Sequence, residues 1–344
     1  MRVPVERLRA FTEAVFQRAD MSRADAAALT DVLVWSDLRG ISALGVAKIP
    51  QYLGRLRAGV TSPTSARTKV LERDATAVLD AADTWGQIAG ARAMRHAIGQ
   101  ARSAGVGVAA VRNTTSAGPL GYFALLAADQ KMVGLAINNS PPLQAPWGGT
   151  TKVIGNQAFA IACPARRHDP LLLDMATTAI TLARIHEYRD RGEPLPPDVA
   201  LDADGQPTID PDVALSGILR SMGGHRGSGL AVMWEVLTGV LAGGERYGPA
   251  VSGPDELDRP QAVSMFLMAI DPEFAQPLGE FLARVDRLID EIHASPPAPG
   301  VERVTVPGER GFALARERAR DGIPIRAALH ERLTAIGADL GLTL

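Results

Sequence analysis

The sequence lacks the features that mark secreted, membrane-bound or disulfide-rich proteins. It has a single cysteine, Cys163, in 344 residues, which excludes an intramolecular disulfide framework and favours a reducing compartment. In its apolar run, Phe159–Pro164, this cysteine is expected to be a small buried core residue. The sequence has no run of about 18 apolar residues, so no transmembrane helix is expected. The N-terminus lacks the apolar core of a secretory signal peptide. We therefore expect a cytoplasmic protein.

Neither sign of charge dominates. The chain has 36 Lys and Arg against 38 Asp and Glu, a formal net charge of −2, so neither nucleic acid nor membrane is expected as a partner. Hydrophobic residues make up 46% and charged residues 22%, which is typical of a globular protein, and the length suits two or three domains. No metal site is predicted.

Apolar spacing predicts alternating helices and strands, without the regularity of a βαβ repeat. Ser22, three residues before Asp25, is a plausible helix N-cap. Residues 191–212, rich in Pro, Asp and Gly, are predicted to be a surface loop. The helices are expected at 4–35 (two), 46–58, 87–103, 122–130, 176–190, 227–243, 274–294, 312–321 and 325–338. The strands are expected at 69–72, 77–80, 106–112, 132–138, 158–162, 171–175, 264–270 and 303–307.

No Gly-x-Gly-x-x-Gly dinucleotide fingerprint follows a strand. The nearest approach is Gly223-Gly-His-Arg-Gly-Ser-Gly, a glycine-rich turn expected to open an apolar helix at Leu230. Backbone N–H groups there, with Arg226 beside them, could hold a phosphate. The glycines could equally serve close helix packing, and the residues alone leave both interpretations open.

Several segments, in order along most of the chain, resemble one known family. They are Asp37-Leu-Arg-Gly with Gly45-Val-Ala-Lys, Pro146-Trp-Gly-Gly with Gly155-Asn-Gln, Leu173-Asp-Met-Ala-Thr-Thr, Ala200–Pro211, Gly223-Gly-His-Arg-Gly-Ser-Gly-Leu, Val306-Pro-Gly-Glu-Arg and Gly322-Ile-Pro-Ile. Together they identify the chain as resembling the malate/L-lactate dehydrogenase type 2 family of NAD(P)-dependent oxidoreductases. That family also contains ureidoglycolate dehydrogenases, sulfolactate dehydrogenases, diketogulonate reductases and cyclic ketimine reductases.

The resemblance implies an α/β (α+β) fold with a non-Rossmann NAD(P)-binding domain on a mostly antiparallel sheet. A helical domain would combine residues 1–65 with the C-terminal helices 310–344. Residues 66–120 and 260–309 would form a core or substrate domain, and 121–259 the cofactor-binding domain. The family also implies a homodimer with the active site near the interface.

The same resemblance implies where NAD(P)H would bind, without separating NADH from NADPH. The expected contacts are Ser140, Asp174, Met175, Ala176, Arg184, Arg226, Pro307, Gly308 and Glu309. Arg184, Arg226 and His186 could bind a pyrophosphate or a ribose 2′-phosphate. Alternatively, Arg184 and His186 lie on a solvated helix face.

Both histidines that the family motifs usually carry are replaced. The Ser-His pair of the first motif is Ala43-Leu44, its arginine is Lys48, and a later His-Phe pair is Ser116-Ala117. None of the six histidines present falls in either motif. The substitutions predict a less polar substrate pocket, more spacious at 116–117, lined by Ala43, Leu44 and Ala117.

The remaining candidates for catalysis are Tyr52 and Ser116. Lys48 and Tyr52 lie four residues apart on one helical face, where Lys48 can pair with a substrate carboxylate and Tyr52 can donate a proton. Tyr52 could instead be a packed aromatic with a satisfied hydroxyl. Ser116 could relay a proton or hold a water, although an isolated serine neither gains nor loses a proton readily near pH 7.

Three functions are compatible with this pattern. The first is an NAD(P)H-dependent reductase of an imine, such as a cyclic ketimine, or of a bulky keto acid in a biosynthetic pathway. Imine reduction relaxes the demand for an acid, because the nitrogen can be protonated before hydride arrives. The second is a 2-hydroxy acid dehydrogenase with an altered proton relay. The third is a cofactor-binding pseudoenzyme or a non-redox enzyme on this fold.

Overall fold

The computed structural model describes all 344 residues and contains eleven α-helices and twelve β-strands. The helices are α1 (Val5–Arg18), α2 (Arg23–Leu38), α3 (Ile49–Arg57), α4 (Gly86–Ala104), α5 (Gly121–Asp129), α6 (Leu182–Arg191), α7 (Pro211–Ser216), α8 (His225–Glu235), α9 (Leu278–His293), α10 (Glu309–Asp321) and α11 (Ala327–Asp339). The strands are β1 (Arg2–Val3), β2 (Lys69–Arg73), β3 (Thr76–Asp80), β4 (Val106–Thr114), β5 (Val133–Asn138), β6 (Phe159–Cys163), β7 (Leu171–Met175), β8 (Ala200–Leu201), β9 (Pro207–Thr208), β10 (Ile218–Leu219), β11 (Val263–Ile270) and β12 (Ile323–Pro324). None of the helices combines the length and the apolar character needed to cross a membrane.

A seven-stranded sheet organises the molecule in the order β2-β3-β4-β11-β5-β6-β7. Only β3 and β4 are parallel, and helix α4 makes the crossover between them. Every other neighbouring pair is antiparallel. The prediction of a mixed α/β fold with a mostly antiparallel sheet is therefore confirmed.

The two faces of the sheet are covered differently. Helices α4 and α5 pack on one face, where Met94, Phe123 and Leu267 lie in the largest buried cluster. The opposite face buries Phe159 and Phe266 against helix α8 and the π-helical turn that continues it, Val236–Val240. Strands buried on both faces account for the nearly unbroken apolar run of β11.

The two ends of the chain form one helical unit beside the sheet. Strand β1 pairs with β12, and a second core cluster joins Leu8 and Phe16 of the N-terminal segment to Leu333 of α11. Helix α2 is also tied to α10, because the Arg39 guanidinium lies 4.6 Å from the ring centre of Trp35 and 4.0 Å from that of Phe312. The N- and C-terminal segments thus share one packed core.

The division of the remaining chain into a core domain and a cofactor-binding domain stays a prediction. One sheet runs across the expected boundary at residues 120 and 121, since β11 pairs with β4 on one side and β5 on the other. Backbone hydrogen bonds are therefore continuous between the two parts.

Two elements differ from the sequence-based expectation because their backbone groups have other partners. The helix expected at 176–190 begins only at Leu182, with the Thr181 hydroxyl as its N-cap acceptor. Before it, the Thr177 and Ala179 amides donate to Asn156 and Arg220. The strand expected at 303–307 does not form; the Val306 amide donates instead to the Glu309 carboxylate.

Three further boundaries are corrected. Helix α8 begins at His225, before either expected start at residue 227 or 230, so Gly227 lies in its first turn. A Cβ on Gly227 would lie 2.0 Å from the Met222 carbonyl oxygen, which supports the close-packing interpretation of this glycine. Helix α9 begins at Leu278, and the expected loop 191–212 contains strands β8 and β9.

Helix α4 approaches β4 so closely that Gly107 has no room for a side chain. A Cβ there would lie 1.9 Å from the Ala97 carbonyl oxygen. We expect Gly107→Ala to lower the free energy of unfolding by about 1–3 kcal/mol, as overpacking does. Gly99→Ala is the control: Gly99 is exposed on the same helix with nothing within 4 Å, so it should raise stability by up to about 1 kcal/mol. Urea unfolding of both variants measures this, and equal midpoints would contradict it.

Candidate functional site

The Asp37 carboxylate fixes the turn that follows α2. It is 1% exposed, and its Oδ2 accepts a hydrogen bond from the Val46 amide at 2.8 Å. A Cβ on Gly45 would lie 2.2 Å from the same oxygen, so only glycine lets the chain pass. Burial raises the pKa of Asp37 to about 7. The recurring Asp and Gly of this motif are thus explained by turn geometry rather than by chemistry.

This turn carries the first group of predicted site residues. Ala43 is exposed, while Leu44 and Lys48 are half-buried. No carboxylate lies within ion-pair distance of the Lys48 ammonium; burial lowers its pKa, an effect that the more distant Asp255 opposes. Lys48 is therefore a partly desolvated cation whose charge the protein leaves without a paired anion.

The predicted proton donor Tyr52 lies one helical turn after Lys48. Its ring packs 4.6 Å from that of Trp85, and its Oη accepts a hydrogen bond from Gln87 Nε2 at 2.8 Å. Burial raises the pKa of Tyr52 to about 12. The tyrosine is thus both a packed aromatic and a neutral hydroxyl held at a defined position.

Helix α3 also holds the segment that completes this side of the site. The Arg55 guanidinium donates to the carbonyl oxygens of Pro254 and Glu256 at 3.1 and 2.9 Å, and Gln51 donates to Asp255 at 2.6 Å. These contacts place the 252–261 segment, and with it Gln261, beside the second predicted group.

That second group is the turn after β4. The start of α4 packs directly on it: the Gly86 amide donates to Thr115 Oγ1 at 3.0 Å, and a Cβ on Gly86 would lie 2.3 Å from the Thr115 carbonyl oxygen. Ser116 is half-buried and bonded to Gln261. Ala117 is fully buried in the main core, so its small size acts through packing and not by lining an accessible surface.

Gln87 connects the two groups. Its amide nitrogen bonds Tyr52 on one side, and a Cβ on Gly118 would lie 3.6 Å from it on the other. The structure therefore brings the Lys48–Tyr52 helix face and the Ser116 turn together. Sequence reasoning missed Gln87 and Gln261, because an isolated glutamine forms no recognisable pattern. The one available signal was Gly86, beside Gln87, where the backbone of α4 closely approaches Thr115.

The predicted cofactor contacts Asp174 and Gly308 are neighbours in the fold. Asp174 Oδ2 accepts the Gly121 amide at the start of α5 at 2.8 Å, and burial raises the pKa of Asp174 to about 6. Two residues earlier, the Leu172 amide donates to the Pro307 carbonyl oxygen at 3.0 Å. Gly308, with φ of +92°, packs against Leu172.

The other members of this group extend the same surface. Met175 and Ala176 follow Asp174 and are half-buried. The Glu309 carboxylate accepts the Val306 amide and pairs with Arg303 and His293. Glu309 thus closes the turn that begins at Val306 and ties it to Arg303 and to His293 at the end of α9.

Ser140 lies at the end of β5 in a separate polar network. Its hydroxyl donates to Asn156 Oδ1 at 2.7 Å and accepts the Asn156 amide at 2.9 Å. The buried Glu235 carboxylate joins this region to α8, since it accepts Asn139 Nδ2 at 3.3 Å, Gln157 Nε2 and the Gly248 amide at 2.7 Å. Glu235 is a third polar residue that the sequence pattern did not single out.

The two predicted arginines differ in their surroundings. Arg184 is exposed on α6, pairs with Glu187 at 2.6 Å and lies 5.1 Å from the ring centre of Tyr188, which supports the solvated-face interpretation. Arg226 is exposed in the first turn of α8 with no ion pair. The two belong to different elements, and the structure shows no contact between them.

A cleft of about 400 Å³ opens beside Trp147, between the Pro146–Gly149 loop and the Leu201–Pro207 hairpin. It adjoins the start of α8, because the Trp147 amide donates to Ser228 Oγ at 2.9 Å. Arg220, whose guanidinium lies 5.9 Å from the Trp147 ring centre, forms another wall.

Comparison with known proteins gives matches over almost the whole chain. A family model described as malate/L-lactate dehydrogenase matches residues 3–334. The malate dehydrogenase of Pyrococcus abyssi is 35% identical over 352 residues, covering 99% of this chain and 96% of that protein.

Two solved structures extend the comparison. The sulfolactate dehydrogenase of Methanocaldococcus jannaschii superposes with a TM-score of 0.93 at 36% identity, covering 100% and 98% of the two chains. The Δ1-piperideine-2-carboxylate reductase of Pseudomonas syringae pvar. tomato gives 0.88 at 28% identity, covering 98% and 99%.

The raised pKa of Asp37 predicts a pH-dependent stability. A carboxyl whose pKa is about 7 when folded and 3.8 when unfolded contributes stability that is full below about pH 4 and is lost as pH rises to about 7. Asp37→Asn keeps an acceptor for the Val46 amide and buries no charge. We expect its stability relative to the parent protein to increase across this window, by at most about 4 kcal/mol. Urea unfolding between pH 4 and 8 measures this, and parallel curves would refute it.

Proposed function

The chain belongs to the malate/L-lactate dehydrogenase family, and we propose that in this family of oxidoreductases it reduces a C=N bond. The proposed substrate is a cyclic ketimine that carries a carboxylate; a bulky keto acid is the nearest variant. The observation that carries the proposal is the set of proton-handling groups at the site. They are two neutral hydroxyls, Tyr52 and Ser116, with no histidine or carboxylate bonded to either.

This set suits an imine better than a ketone. Reduction of a ketone places a proton on oxygen as hydride arrives, and a matched acid or base typically contributes about 10²–10⁴ in rate. Tyr52, with its pKa raised to about 12, is a weak acid at neutral pH, and Ser116 is weaker still. An imine nitrogen takes its proton more readily, so orientation and hydrogen bonding supply more of the catalysis.

Lys48 supplies the second feature of the proposed substrate. Its ammonium is partly desolvated and has no paired carboxylate in the protein, so a substrate carboxylate gains a charge-assisted hydrogen bond there. Ala43 and Leu44 give an apolar wall in place of the polar pair usual at these positions. The site therefore selects an anionic group at one end and an apolar ring beside it.

The proposed cofactor is NADH or NADPH. A reduced nicotinamide, when bound, supplies the hydride. Ser140, Asp174–Ala176 and the Pro307–Glu309 turn would contact it, and Arg226 at the start of α8 would hold a phosphate through its charge and the helix N-terminus. Arg184, already paired with Glu187, would need to exchange that partner to contribute.

A second candidate is supported by the relatives. Malate and sulfolactate dehydrogenases are among the proteins most similar to this chain, so a 2-hydroxy acid dehydrogenase with Tyr52 as an altered proton donor is the alternative. The Pseudomonas reductase, whose name gives a cyclic imine carboxylate, is the similar protein that supports the first candidate.

Nicotinamide fluorescence followed by oxidation assays tests the proposal. We expect NADH or NADPH to bind, and a cyclic ketimine carboxylate to be reduced with kcat/KM about 100-fold or more above that of pyruvate or oxaloacetate, the scale of one acid–base contribution. Malate or lactate turned over as fast as the ketimine would refute the imine assignment. Failure to bind either cofactor would refute both candidates and leave a non-redox protein.

Leu44→His with Ser116→His is the matched control, because it restores the family's usual residues. The double variant should gain activity on 2-hydroxy acids relative to the parent protein. Tyr52→Phe should lose ketimine reduction, whereas Tyr122→Phe, whose ring packs edge-on against Trp35, should not. Unchanged turnover by Tyr52→Phe would remove this residue as donor.

We also propose that the protein is a homodimer joined through α8 and its π-helical extension. Val232, Met233, Val236 and Val240 lie exposed along this helix, with Met233 55% exposed. The only charged residue between Gly227 and Gly243 is Glu235, which is buried. A helix face without charge that exposes large apolar side chains is typical of an isologous interface.

Met233→Glu combined with Val240→Glu places charges on this face, and we expect it to convert the dimer to a monomer in sedimentation equilibrium. Phe274→Glu is the control, since Phe274 is 70% exposed in the turn between β11 and α9, and it should leave the assembly unchanged. A parent protein that sediments as a monomer would contradict the proposal.

A further inference from the structure

The two candidate hydroxyls share an arrangement that the proposed function does not use. Tyr52 Oη accepts from Gln87 Nε2 at 2.8 Å, and Ser116 Oγ accepts from Gln261 Nε2 at 3.2 Å. Neither hydroxyl donates to any group of the protein. Each oxygen is therefore occupied by an amide donor, while each hydroxyl hydrogen remains available.

The amide of Gln261 is held in one orientation. Its Oε1 accepts the Ser116 backbone amide at 3.3 Å, and a backbone N–H can only donate. The nitrogen of the same side chain must then face Ser116 Oγ. Gln261 is 2% exposed, and its own carbonyl oxygen is bonded to the Ser252 amide, so the pair is fixed inside the protein.

Gln87 is fully buried in the first turn of α4, yet its Oε1 has no hydrogen-bond partner. Gln144 shows the contrast, because this buried glutamine is satisfied at both ends: Nε2 donates to Gly155 and Thr177, and Oε1 accepts from Ser221. Buried polar groups are nearly always hydrogen-bonded, so the Gln87 Oε1 atom without a partner calls for an explanation. The Gln87 side chain thus donates from Nε2 to Tyr52 Oη, while its Oε1 is left without a donor.

We infer that Gln87 and Gln261 are positioning residues that hold Tyr52 Oη and Ser116 Oγ as acceptors, so that both hydroxyl hydrogens are directed to the substrate. This inference rests on the proposed function, in which these hydroxyls face the reacting C=N bond. Accepting a hydrogen bond polarises an O–H group and strengthens the bond that it donates. An oriented donor also needs no rearrangement when the substrate arrives.

Exchange of each amide for a carboxylate tests the inference, since an ionised carboxylate accepts and cannot donate. Burial raises the pKa of the carboxyl introduced by Gln87→Glu. At a pH above this raised pKa the carboxylate takes the Tyr52 hydrogen, and kcat/KM for the ketimine should fall about 100-fold, the scale of one lost oriented donor. Activity should recover at low pH, where the protonated carboxyl donates again. Gln261→Glu should cause the same pH-dependent loss of activity, because its carboxylate takes the Ser116 hydroxyl hydrogen. Gln87→Met removes the donor without reversing it, and its smaller loss should carry no such pH dependence.

A second readout needs no substrate. Protein labelled at the Cζ carbon of tyrosine gives resonances for its four tyrosines, and Tyr52→Phe identifies the one from Tyr52. In Gln87→Glu this resonance should move downfield as pH rises through the pKa of the buried carboxyl, as phenol Cζ does when its O–H donates to an anion. The parent and Gln87→Met proteins should lack this shift.

The outcomes separate the two proposals. A Tyr52 resonance and a pH profile that are the same in Gln87→Glu and the parent protein would overturn the positioning role. If no ketimine is reduced, the proposed substrate fails, and the resonance alone decides the positioning. If Gln87→Glu does not fold, Gln261→Glu decides it by the pH profile.

Discussion

The contact between the Asp37 carboxylate and the Val46 amide fixes the part of the structure on which the site depends. It closes the turn between α2 and α3. Gly45 lies so close to the Asp37 carboxylate that no side chain fits there, which restricts the backbone conformation of this turn. Because α3 continues directly from the turn, the same contact sets the direction of Lys48 and Tyr52. A buried carboxylate with a pKa of about 7 is costly, and the order it imposes on the site gives a physical reason for its retention.

Further close backbone contacts bring the remaining parts to this turn. The start of α4 packs against the turn at Thr115 with no room for a Cβ at Gly86, which places Gln87 between Tyr52 and the Ser116 turn. On the other side, the Pro307–Glu309 turn docks on β7 near Asp174. Side chains from distant parts of the sequence thus meet because the backbone between them can approach closely.

The chemistry of the site follows from what surrounds these side chains. The groups present are a cation without a paired anion, two neutral hydroxyls and two buried amides, and the apolar Leu44 stands beside them. In the proposed function such a set binds and orients an anionic substrate, and it donates hydrogen bonds more readily than it exchanges protons. The proposed reduction of an imine matches this balance, whereas malate or lactate chemistry would require a stronger acid or base.

The sequence determined the elements with a clear period and the family. Strands β4, β5 and β11 and helices α4 and α5 were predicted near their observed bounds, because their apolar residues recur with one spacing and are buried by sheet or helix packing. The Ser22 N-cap was also predicted, and it accepts the Asp25 amide at 3.1 Å. The order of the motifs also predicts that positions 44 and 116 are those at which the family usually carries histidine.

Only the tertiary structure decided which side chains meet. The partners of Tyr52 and Ser116, Gln87 and Gln261, lie 35 and 145 residues away from them, and no local pattern encodes a contact at such separation. The start of the helix predicted at 176–190 was wrong for the same reason, since the Thr177 and Ala179 amides bond to distant residues. The strand predicted at 303–307 does not form for a local reason, because the Val306 amide bonds to the Glu309 carboxylate. The sequence determines periodicity and motif because these are local, whereas hydrogen-bond partners and burial depend on the folded arrangement of the whole chain.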